Sequence, residues 1–150
     1  GELRSDPMAM LPFAGYNMAD YLGHLVKMGK NLKQTPRFYH VNWFRRDADG
    51  NFMWPGFGDN MRVLDWILDR CEGKADAEET AIGYVPYAKD INVKNTDVTE
   101  ETLDKLLYVD KERWAAEAEE IEKYYDDNFG DKLPEEIREN LETLKANCKK

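Results

Sequence analysis

The stretch from Asn42 to Asn60, NWFRRDADGNFMWPGFGDN, constrains the fold of this chain more than any other. It holds five of eighteen aromatic side chains, Trp43, Phe44, Phe52, Trp54 and Phe57, in a chain that is 12% aromatic. Between them lie Gly, Pro and Asx residues of the kind that make turns. A core strand calls for aliphatics at alternate positions. Flat rings held out from turns are better suited to gripping another flat ring.

With 150 residues the chain fits one domain, 1–150, with a core of ordinary size. Thirty acidic and 21 basic residues give a formal charge of −9. Such a surface repels phosphate backbones and anionic lipid, so neither nucleic acid nor a membrane is an expected partner. One nucleotide in a local pocket is still allowed, because a pocket answers to its nearest groups. Cys71 and Cys148 lie far apart with no metal-like spacing and are expected as free thiols. No stretch has the length of a membrane span, and residues 1–6 do not resemble a signal peptide, so a cytoplasmic location is expected.

The pattern along the chain is mostly helical. Pro7 and Pro12 suggest an extended leading segment over Asp6–Phe13. Asn17 is placed to cap a helix whose apolar face carries Met18, Tyr21, Leu22, Leu25, Val26 and Leu32. Arg37–Phe44 alternates as a strand would, Asp47–Gly50 reads as a turn, and Phe52–Trp54 as a short antiparallel return. A helix from Asp59 or Asn60 to a stop at Gly73 would bury Val63, Leu64, Ile67, Leu68 and Cys71. Ala75–Glu79 reads as a loop and Ala81–Val85 as a strand. Thr99 and Asp110 are set to cap two further helices, and Pro134 stands near the first turn of the last.

Most familiar chemistry finds no support. Gly29-Lys30 approaches a phosphate-binding loop, but Asn31 replaces the Ser/Thr and the pair sits inside a helical pattern. His24 and His40, the only histidines, lack ligand-like neighbours. There is no nucleophile elbow. The acidic run Glu112–Asp127 reads as a solvated helix face.

The aromatic segment is the candidate site. Phe44 and Phe57 can lie on one face of a planar base while Phe52 covers the other, and stacking contributes about 1–3 kcal/mol per base. Selection would come from the helix start at Gly58-Asp59-Asn60, where backbone N–H groups and the Asn60 amide meet the base edge. Guanine presents an O6 acceptor where adenine presents an N6 donor, so donors at that point favour guanine. Two other readings stand beside this one. The aromatics can form a small core that closes a hairpin. Alternatively, Trp43, Trp54 and Pro55 can line a groove for a peptide in a non-catalytic interaction module.

Asn42–Arg46, Phe52–Asn60 and Arg62–Leu64 closely resemble the nucleotide-site signature of the GTP-dependent phosphoenolpyruvate carboxykinases. The likeness extends to Asp6–Met10, Pro12–Asn17, Ala81–Pro86 and the acidic C-terminal helices. It implies a parent enzyme of gluconeogenesis, a decarboxylating lyase interconverting oxaloacetate plus GTP with phosphoenolpyruvate, carbon dioxide and GDP. It also implies Mn²⁺ or Mg²⁺. Phe44, Phe52 and Phe57 would hold the guanine of GTP or GDP, with Gly58, Asp59 and Asn60 at its edge. Asp59 and Met61 depart from the Glu and Ser usual in the family.

The family's kinase loop, metal ligands, reactive cysteine and lid find no counterpart in these residues. The chain is therefore expected to be a C-terminal portion, inactive alone, whose partner is the missing N-terminal part of the same enzyme. The expected fold is α+β and mostly helical, with a short antiparallel aromatic element and four or five helices. It would be part of a larger mixed α/β nucleotide-binding domain, and apolar surface left open would favour self-association.

Overall fold

The computed structural model describes residue 6 and residues 9–150. Pro7 and Met8 of the leading segment lie outside the described residues. The rest of that segment is not extended: Leu11–Phe13 forms a turn of 3-10 helix, and the Asp6 carboxylate accepts from the Leu11 N–H at 3.2 Å. Pro12 suits the start of such a turn, where its missing N–H costs nothing.

Five α-helices and a two-stranded sheet follow: α1 Met18–Asn31, α2 Asn60–Glu72, β1 Glu78–Thr80, β2 Gly83–Val85, α3 Glu100–Leu107, α4 Lys111–Asn128 and α5 Glu135–Cys148. The fold class is α+β and mostly helical, as expected. The chain divides into two compact units, residues 1–35 with 110–150, and residues 36–109. Among the described residues no helix is long and apolar enough to cross a membrane.

The first unit is built from α1, α4 and α5. Asn17 caps α1 by accepting from the Ala19 N–H at 2.8 Å, and Asp110 caps α4 by accepting from Arg113 at 3.1 Å. Met18, Ala19, Phe129 and Leu133 form its buried centre, and Tyr124 meets Phe129 edge-on. Gly29 and Lys30 lie inside α1, where no phosphate loop can form. Leu25 and Leu32 of the predicted apolar face stay exposed.

In the second unit, Trp54, Trp66, Ile91, Val98 and Leu103 are the buried centre. Thr99 caps α3 by accepting from Thr102, while its flanking Val98 and Leu103 both enter the core. Gly73 stops α2 in a left-handed conformation, and the Lys74 N–H returns to the Asp69 carbonyl at 2.8 Å.

Three expectations for this unit fail for identifiable reasons. Arg37–Phe44 pairs with no strand and ends in a turn at Trp43 and Phe44, where the Asn42 carboxamide oxygen accepts from the Phe44 N–H at 3.0 Å. It keeps its alternation, with Tyr39, Val41 and Trp43 half-buried and His40, Asn42 and Phe44 outward. Side chains tether it instead: Arg37 donates to the Arg70 carbonyl at 2.7 Å and Arg45 to the Leu106 carbonyl at 2.8 Å, each at a helix C-terminus. The buried side of α2 is centred on Trp66 with Val63 and Ile67, while Leu64, Leu68 and Cys71 are exposed. The indole at 66 has the largest surface to hide and sets the helix rotation. Finally, Glu78 and Glu79 belong to β1 and not to a loop, because Gly83 (φ 115°) permits the tight return to β2.

Candidate functional site

Residues 45–53 form a small loop whose two sides meet at one antiparallel bridge, Arg46 with Phe52. The Asp47 carboxylate builds the turn by accepting from the N–H groups of Asp49 at 3.0 Å and Asn51 at 2.8 Å. These charge-assisted bonds, first that from Asn51, hold the Asp47 carboxyl below the usual range. Gly50 takes φ 84° at the tip. The rings on either side of this loop, Phe44 and Phe52, are 72% and 52% exposed.

The chain then reverses at Gly56. Its conformation, φ 77° and ψ −173°, is essentially confined to glycine. Phe57 follows with φ 44°, a left-handed conformation that costs a β-carbon residue about 1–2 kcal/mol. The result is a benzyl group 98% exposed. Nothing in the local packing rewards that placement. Strain of this kind persists where surrounding structure imposes it and clusters at ligand clamps.

Phe57–Asp59 is a single 3-10 turn leading into α2. The Asp59 N–H is taken by the Gly56 carbonyl at 3.1 Å, and the Asn60 N–H by the Phe57 carbonyl. The donors at the opening of this turn are therefore those of Phe57 and Gly58, ahead of any acceptor the turn supplies. The Asp59 carboxylate accepts from Arg62 Nε at 2.8 Å, and Arg62 also donates to the Asn92 carbonyl at 2.7 Å. Asp59 thus braces the turn through its side chain. Asn60 is half-buried, and its Oδ1 accepts from Trp54 Nε1 at 2.9 Å.

All three phenylalanines face solvent, so they do not form a closed mini-core. They are not arranged as an open sandwich either. Phe44 and Phe52 touch, with centroids 6.1 Å apart and planes at 59°. A base between parallel rings needs about 7 Å, twice the ordinary contact distance. The Arg46 guanidinium lies 3.9 Å over the Phe52 ring, covering one of its faces. Among the described residues Phe57 has no stacking partner. Two open grooves border the region. One is lined by Phe52, Met53, Pro55, Val98 and Thr102, the other by Arg45, Asp104 and Tyr108, and neither includes Asn60.

Trp54 reads as structural in the sequence, but its bond to Asn60 and the supports Arg46 and Arg62 went unrecognised. Arg62 carried a readable signal, since it lies three residues from Asp59 on a helix start. The other two did not. The peptide-groove reading fails here: Trp54 is 6% exposed in the core and has no face to offer.

The comparisons agree with the resemblance. Residues 1–147 match the family described as the phosphoenolpyruvate carboxykinase C-terminal P-loop domain, and the chain belongs to that family. It is similar to proteins named phosphoenolpyruvate carboxykinase [GTP]: 52% identical over 147 residues in Renibacterium salmoninarum, covering 97% of this chain and 24% of that protein. Identity is 47% over 148 residues in Treponema pallidum and 46% over 145 in Thermoplasma volcanium, with the same shares covered. The chain spans about a quarter of the length of the curated relatives it matches.

Proposed function

We propose that this chain is the guanine-recognising C-terminal portion of a GTP-dependent phosphoenolpyruvate carboxykinase. One observation carries the reading: three phenylalanines held out to solvent in the same short segment as a half-buried carboxamide, one of them on a strained backbone. Exposed rings gain most when a base covers them, at about 1–3 kcal/mol per stacked base. Phe44 and Phe52 part, or the base stacks on their outer faces, while Phe57 closes from the turn. The Asn60 amide and the Phe57 and Gly58 N–H groups donate to guanine O6. GTP enters and GDP leaves through this cradle.

The complete enzyme interconverts oxaloacetate and GTP with phosphoenolpyruvate, carbon dioxide and GDP. Among the described residues no three His, Cys, Asp or Glu side chains gather as a metal site. The Mn²⁺ or Mg²⁺ ligands, like the phosphate loop, are assigned to the remainder of the enzyme, where the ions would offset phosphoryl charge. That remainder is the expected partner of this chain. Exposed Leu64 and Leu68 on α2, Leu25 on α1 and Leu32 at its C-cap are surfaces it would cover, or that would drive self-association without it. Free thiols at Cys71 and Cys148 suit a cytoplasmic setting.

In the complete enzyme, Asn60→Ala should raise the KM for GTP about three- to tenfold, the worth of one neutral hydrogen bond, and weaken discrimination against ATP. Unchanged nucleotide kinetics overturn the site. The chain alone, lacking the phosphate contacts, should bind GTP no tighter than about millimolar. A titration giving micromolar affinity contradicts that division of labour.

A further inference from the structure

We infer that Trp54 is a positioning residue that locks the Asn60 carboxamide with its NH₂ group outward, making the amide a donor toward the base. This rests on the guanine reading above and adds to it the device that sets the direction of the hydrogen bond.

The chemistry of the pair settles which amide atom faces which way. An indole N–H can only donate, so the atom 2.9 Å from Trp54 Nε1 must be the Asn60 oxygen. The two Nδ2 protons are then directed away from the indole. An isolated asparagine can exchange its two ends by a half-turn about its last bond and would serve a carbonyl or an amino group equally. Here the half-turn sets NH₂ against N–H and leaves the indole proton unpaired.

Trp54 cannot move to accommodate the exchange. It is 6% exposed and packs in one core with Trp66, Ile91, Val98 and Leu103. Asn60 is equally constrained, because it opens α2 and its N–H is bonded to the Phe57 carbonyl. The amide is pinned from both ends. A base with a carbonyl at its six-position meets a donor, and a base with an amino group there meets a second donor and is refused. Rejection that leaves a buried donor unpaired amounts to about five- to hundredfold.

The test uses the complete enzyme with GTP and ATP. Trp54→Phe keeps an aromatic ring in the core and removes the indole donor; the ring volume it also empties should lower both activities alike, so the ratio is the readout. The ratio of kcat/KM for GTP over ATP should fall about tenfold, in line with one lost polar contact. In an Asn60→Ala background the same substitution should change the ratio no further. A purely structural role would lower both activities together and leave the ratio alone, and that outcome overturns the lock. If Asn60→Ala itself leaves the ratio unchanged, the guanine reading fails. If Asn60→Ala lowers it and Trp54→Phe does not, only the lock fails.

A second measurement needs no change at position 54. In ¹⁵N-labelled protein carrying Asn60→Ala, the Trp54 indole proton should shift and exchange faster with solvent. An indole signal that Asn60→Ala leaves in place rules the hydrogen bond out.

Discussion

Phe129 and Phe57 are the same residue type in two regions that use it oppositely. In the unit of α1, α4 and α5, Phe129 is 5% exposed, packed against Tyr124 and Tyr125 beside Met18 and Leu133. In the aromatic unit Phe57 stands 98% exposed on a left-handed backbone. The first ring contributes to stability. The second costs conformational energy and returns none within the chain. An apolar group placed in water at a local cost points to a contact made with something else.

The sharpest way to break this comparison is to delete each ring. Phe129→Ala should destabilise the chain by about 3–5 kcal/mol, read by denaturant unfolding, because it empties a packed site. Phe57→Ala should leave the unfolding free energy nearly unchanged while removing about 1–3 kcal/mol of nucleotide binding in the complete enzyme. If both lower stability alike, the two regions are not different in kind. Phe57→Gly sharpens the point. Glycine relieves the left-handed strain but widens the unfolded ensemble, so stability should move by no more than about 1 kcal/mol, again with binding lost.

The smallest effects come from pH, with opposite signs at Asp47 and at the tyrosine pair Tyr124 and Tyr125. Asp47 has its folded pKa lowered by its turn hydrogen bonds. Its contribution is complete above its unfolded value near 3.9 and fades as pH falls through the folded value, so acid should loosen the 45–53 loop. Tyr124 and Tyr125 have pKa values raised, chiefly by burial. Their contribution is complete below an unfolded value of about 10 and is lost as pH rises through the folded value, so alkali should loosen the helical unit. Residue-resolved NMR across both limits separates them. A 45–53 loop that stays unchanged as pH falls through the carboxylate range would contradict the assignment at Asp47.

Local signals in the sequence read well. Asn17, Thr99 and Asp110 cap the helices they were expected to cap, Gly73 ends α2, and Asp47–Gly50 turns. Each depends on a side chain and a backbone group a few residues apart, so the chemistry is complete within the segment. The alternation over Arg37–Phe44 reappears in the burial of its side chains, yet no strand formed. A strand needs a partner, and sequence periodicity cannot supply one.

What only tertiary structure decided has the same cause in reverse. Which face of α2 is buried depended on Trp66 finding Trp54 and Leu103 from other segments. The direction of the Asn60 amide depended on an indole fixed in that core. The sequence by itself determined that Phe44, Phe52, Phe57 and Asn60 stand close along the chain and which family they belong to. Their exposure, their tilt and the aim of the carboxamide follow from packing between distant residues, because orientation is settled by contacts that no local pattern encodes.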